Sequence, residues 1–196
     1  MRRTYLGFVL ALSLLVCPAT VWASSFTIIT DGPANSTTIN TTIYNDDGTD
    51  LLSILFDLSG TVADDGTGSL VFGGENFNNG VPGGTASLFT LLPNGGAGGG
   101  YFQFGYDFTG FNSGESFLFQ WDPDSVGDIN YGAIVSNLVG TVVTVTTIYG
   151  TGSGVMALDA AGNVVVQIPS PVPEPGALLL LGAGLLGLAA LKRRHA

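Results

Sequence analysis

Residues 101–121 read YFQFGYDFTGFNSGESFLFQW. Phe102, Phe104, Tyr106 and Phe108 recur at every second position, with Gln103, Gly105 and Asp107 between them. A two-residue period sends alternate side chains to opposite faces of a strand, so this stretch reads as a half-buried β-strand. Phe117, Phe119 and Trp121 repeat the pattern after a loop containing Asn112-Ser113-Gly114. The two apolar faces are expected to meet in a hairpin and fill a core between sheets. The competing use of the same rings is a platform for stacking sugars, which requires them to be exposed.

Working outward, short apolar or Thr-rich runs continue on both sides. They cover Phe26 to Thr30, Thr37 to Tyr44, Leu51 to Leu58, Ser69 to Phe72 and Ala86 to Leu92. Beyond the aromatic pair come Tyr131 to Ser136, Thr141 to Tyr149, Val155 to Asp159 and Asn163 to Ile168. Turn-forming clusters separate them, among them Asn45-Asp46-Asp47-Gly48, Asn78-Asn79-Gly80 and Ala161-Gly162-Asn163. No segment shows a 3.6-residue period, and no repeat of domain-building length recurs. Short strands punctuated this regularly predict an all-β fold, an antiparallel β-sandwich or jelly roll.

The two ends have a different composition. Arg2 and Arg3 precede an apolar run from Tyr5 to Val16, followed by Val21-Trp22-Ala23. That order is the plan of a secretory signal peptide, with the cut expected after Ala23 by signal peptidase. A lipoprotein cleavage before Cys17 is the weaker alternative, because Val16 is bulky where a small residue is needed. At the other end, Ala177 to Leu191 carries no charge. Its 15 residues would make a helix roughly 22 Å long, short of a hydrocarbon core of about 30 Å. All five Lys and Arg lie at positions 2, 3, 192, 193 and 194, beside these apolar segments. Both ends therefore obey the positive-inside rule, with the middle translocated. Residues 1–23 read as signal, 24–171 as an exported β ectodomain and 172–196 as a terminal unit with a membrane helix.

That unit begins Val172-Pro173-Glu174-Pro175 and closes on Lys192-Arg193-Arg194. Pro173 and Pro175 hold the chain extended, as a peptidase requires. Glu174 precedes the helix, where negative charge suits the positive end of the dipole. The motif, short apolar helix and basic end together resemble the PEP-CTERM sorting signal read by exosortases of Gram-negative bacteria. The resemblance covers about an eighth of the chain. It implies recognition at Val172 to Pro175, removal of the tail, delivery to the cell surface or extracellular matrix, and an association with exopolysaccharide and biofilm. A permanent single-span anchor is the alternative for the helix. Gly182-Ala183-Gly184-Leu185-Leu186-Gly187 matches a dinucleotide fingerprint, but it lies inside the apolar run with no strand before it, so it reads as small residues on a membrane helix.

The body between the ends holds 12 Asp, Glu75 and Glu115, and no Lys, Arg, His or Cys. A formal charge of −14 without a cation would repel a phosphate backbone, so nucleic acid is excluded as a partner. Ser-His triads, thiolate chemistry, Schiff bases and imidazole or thiolate zinc sites are excluded with the missing residues. Paired carboxylates acting on a glycosidic bond survive as the one enzymatic route, though no pair stands out and no enzyme is expected. Ca²⁺ is the better use of the acids: WDPDSVGDIN places Asp122, Asp124 and Asp128 in partial imitation of an EF-hand loop, with Val126 and Ala133 breaking the match. Asn45, Asp47 and Asp50 around Gly48 offer a second oxygen cluster. The sequons at Asn35 and Asn40 carry no weight in a bacterium of unknown glycosylation machinery. The expected role is a surface or matrix component of structural or adhesive kind. A carbohydrate-binding module is the rival and a carboxylate glycosidase the third reading.

Overall fold

The computed structural model describes residues 25–32, 38–64, 66, 68–94, 99–128 and 130–170. The signal segment, its cleavage point at Ala23, the motif at Val172 to Pro175 and the apolar tail lie outside them. Among the described residues, no helix is long and apolar enough to cross a membrane.

The fold is all-β and every ladder is antiparallel. The strands are β1 (Ser25–Asp31), β2 (Ile39–Asn45), β3 (Leu51–Asp57), β4 (Leu70–Asn78), β5 (Thr85–Pro93) and β6 (Tyr101–Phe111). They continue as β7 (Ser116–Ser125), β8 (Val142–Thr147), β9 (Gly150–Val155), β10 (Ala157–Leu158) and β11 (Val164–Pro169). Spatially the order is β10-β11-β1-β2-β7-β4-β6-β3-β8-β9, with β5 added on β6. The path narrows at one point, since β4 and β6 share only the pair Phe72↔Tyr101. Around that joint the sheet folds over until its two halves face each other, close to a barrel. Near the far ends, Gly154 of β9 lies so tight on β11 that a Cβ there would stand 2.5 Å from Val166 Cγ2. A side chain at that position would hold the two ends of the sheet apart.

The aromatic strands build the core, though not as a hairpin. β6 pairs with β3 and β5, whereas β7 pairs with β2 and β4. The Asn112–Glu115 connection carries the chain from one half of the sheet to the other. The apolar faces of β6 and β7 therefore meet across the interior instead of side by side. Phe104 packs between Phe72 at 4.3 Å, Trp121 at 4.8 Å and Phe56 at 4.9 Å. Tyr106 meets Phe117 and Phe119, each at 4.9 Å. Phe104, Tyr106, Phe117 and Phe119 have no exposed surface. The polar atom among these rings is partnered: Trp121 Nε1 donates to Thr41 Oγ1, which also bonds Thr30 Oγ1, both at 3.0 Å. Tyr106 directs its hydroxyl outward to Glu75 Oε1 at 2.6 Å.

Four expected segments end differently. Tyr131 to Ser136 forms no strand, and a 3-10 turn follows at Val135–Leu138. There Asn137 Oδ1 accepts from the Ile134 N–H and from the Tyr131 hydroxyl, a local bonding pattern that competes with a ladder. The run expected from Thr141 to Tyr149 turns back after Thr147, and Gly150–Val155 forms the return strand β9. β4 and β7 run past Phe72 and Trp121, to Asn78 and Ser125.

Candidate functional site

The extension of β7 decides the geometry of the acidic cluster. Asp122 and Asp124 stand on a strand, two residues apart, on the face opposite Trp121. They do not lie in a calcium-type loop, so the EF-hand likeness does not carry into the backbone. Pro123, which has no N–H to give, sits opposite Phe72, next to a register shift between Phe72 and Gly74. Gly73 is the extra residue of that bulge. A Cβ on Gly73 would fall 2.1 Å from Asp124 Oδ2 and 3.1 Å from the Asp122 carbonyl oxygen. The carboxyl of Asp124 therefore fills the space a side chain at Gly73 would take.

Asp124 is only 5 % exposed, and its Oδ1 has no hydrogen-bond partner. Asp122 Oδ1 is likewise buried without a partner. Burial first, then the negative charges of Asp122 and Asp128, pushes the Asp124 carboxyl up to about 7. Burial also raises Asp122. Asp128 lies beyond a tight turn closed by Ser125 and is exposed; its Oδ1 accepts from the Asn130 N–H at 2.9 Å. Its charge reaches Asp124, but among the described residues no three His, Cys, Asp or Glu side chains are arranged to hold a metal ion. The two orphaned oxygens suit a hard cation in kind, and the further ligands would have to be backbone oxygens and water.

The second oxygen cluster is structural. Asn45 donates to the carbonyls of Thr49 at 3.0 Å and Phe111 at 3.1 Å, tying the β2–β3 turn to the end of β6. Asp47 is buried and accepts from Ser170 Oγ at 2.6 Å. These groups are engaged in holding the fold. Sequence reading missed Gly73 and the Glu75–Tyr106 bond; adjacent glycines inside a strand pattern are the signal that marks a bulge.

One comparison bears on the C-terminus. Residues 171–194 match the PEP-CTERM protein-sorting motif. No curated protein and no solved structure gives a significant match to the chain. The motif marks the chain for export and for processing by exosortase, a membrane transpeptidase. β11 ends at Pro169, and Ser170 alone separates it from the matched segment. The sorting signal thus begins where the sheet stops.

Proposed function

We propose that this chain is a structural or adhesive component of the bacterial surface or extracellular matrix, released from its tail by exosortase and held among exopolysaccharide. The observation that carries the reading is the adjacency of motif and last strand: a cut near Pro175 lies beyond every described strand, so the released body keeps the core those strands build. The rival sugar-stacking platform loses support because Phe104, Tyr106, Phe117 and Phe119 are all buried. A glycosidase draws no support from the carboxyl raised furthest, since Asp124 is enclosed against Gly73, away from any substrate. Glu174→Ala or Pro175→Ala should leave a full-length, membrane-retained form in the native host, visible as a larger band in the membrane fraction. Mass spectrometry that finds Leu191 on protein normally released from cells would overturn the reading.

The acidic pair supports a second, smaller proposal, that Ca²⁺ is held by Asp122 and Asp124. A cation that binds only the folded state raises stability by mass action. At fixed ionic strength above pH 7, Ca²⁺ should therefore raise the melting temperature and EDTA should lower it. Asp124→Asn should abolish that difference. Equal melting of the wild-type chain in both solutions would remove the site.

A further inference from the structure

Sheet edges need protection, because their free N–H and C=O groups are templates for pairing with another chain. Most edges here are blunted. β10 is two residues long, β9 lies against β11, and β4 is interrupted by two register shifts and carries Glu75. β5 is different. Among the described residues it pairs only with β6, residue by residue from Thr85↔Thr109 to Leu91↔Gln103 and again at Pro93↔Tyr101. Six of its nine residues are exposed, including Leu88, Leu91 and Leu92. It holds no charge; its one irregularity is at its end, where the ladder skips Leu92, whose φ is 53°, and its one proline, Pro93, is the last residue.

Charge identifies the occupant. The body bears −14 and no cation, so a basic partner is drawn to the acids, of which β5 has none, and an acidic polymer is repelled. Two copies of the body repel each other as well, except where both surfaces are neutral. β5 offers such a surface, and an antiparallel strand placed against its own copy about a two-fold axis is self-complementary. Asp107, opposite Ser87 on β6, is the nearest acid on the neighbouring strand. In the order β6-β5-β5-β6 it stands three strand spacings from its copy, about 14 Å. That exceeds the Debye length of about 8 Å at physiological salt.

We propose that two copies of this chain join through their β5 edges into one continuous antiparallel sheet. The proposal does not depend on how the tail is processed. The test is sedimentation of the full chain in nonionic detergent over a concentration series, with hydrogen exchange on the same samples. The wild-type protein should double in mass as concentration rises, and the amides of Thr85–Pro93 should gain protection together with the mass. Leu91→Glu places two like charges at the joint and should hold the chain as a monomer, while its melting curve matches the wild type at concentrations where the wild type is itself monomeric. Val155→Glu, on β9, should dimerise as wild type does. A wild-type monomer at every concentration would overturn the proposal. So would a dimer that survives Leu91→Glu with β5 unprotected, which would place the contact elsewhere, for instance in the glycine-bearing tail.

Discussion

Phe104→Ala should lower the stability of the folded body by about 3 to 5 kcal/mol, the usual cost of emptying a buried Phe site. The size follows from position. Phe104 is fully buried and lies within 5 Å of three rings, nearly parallel to two of them, Phe56 at 10° and Phe72 at 17°. Phe72 and Trp121 belong to the β4–β7 half of the sheet, while Phe56 belongs to β3 in the other half. The ring is thus a bridge between halves whose direct ladder contact is the single pair Phe72↔Tyr101. Against a total stability of about 5 to 15 kcal/mol for a single domain, such a loss takes a large share. Urea titration followed by near-UV circular dichroism measures it. Phe77→Ala is the control: that ring is 50 % exposed, and its removal should change stability by less than about 0.5 kcal/mol. If Phe104→Ala unfolds at the wild-type urea concentration but loses glycan binding, the core assignment fails and the sugar platform returns.

The alternating aromatics announced both a strand pair and a core, because period-2 burial is a property of the backbone and needs no tertiary knowledge. What alternation could not announce was the partner of each strand. Phe108 and Phe117 are 5.3 Å apart, as they would be in a hairpin, yet they reach each other across the interior. A face-to-face contact and a side-by-side contact leave the same pattern in sequence. β9 was hidden for another reason. Gly150, Gly152 and Gly154 have low strand propensity, and at Gly154 glycine stands because the strand lies so close to β11. The acidic site was legible as composition and misleading as geometry. WDPDS has the turn-forming residues of a loop, but β4 captures it as a ladder partner from Asp122 to Ser125, and that capture buries Asp124. The sorting segment was legible outright, since its motif, apolar run and basic end are contiguous in the chain and owe nothing to folding.

Asp124→Asn should flatten the fall in stability that the wild-type chain shows between about pH 4 and pH 7. In the unfolded chain this carboxyl ionises near pH 4, whereas in the folded chain it holds its proton up to about 7. Below pH 4 both states are protonated and the group contributes no pH dependence. Between the two values the unfolded state releases the proton first, so stability drops as pH rises, and the drop is complete once the folded pKa is passed. The linked free energy is at most about 4 kcal/mol before solvent screening reduces it. The groups around Asp124 reinforce the sign, for its charged neighbours Asp122 and Asp128 are also acids and the body offers no cation to either. Asp57 and Asp159 act in another window. Asp57 is pushed up by burial but lowered further by bonds from Ser59 and Gln103, and Asp159 is lowered by bonds from Asn163, Ala161 and Gly162. Their contribution disappears only as pH falls below the ordinary carboxylate range, so it does not mask the trend above pH 4. General repulsion among the remaining acids is common to both proteins, and subtracting the two melting profiles in EDTA removes it. The difference should be small at pH 4 and grow to favour Asp124→Asn by pH 8. Parallel profiles across that range would mean that Asp124 ionises normally in the fold, and that water reaches the carboxyl despite its place against Gly73.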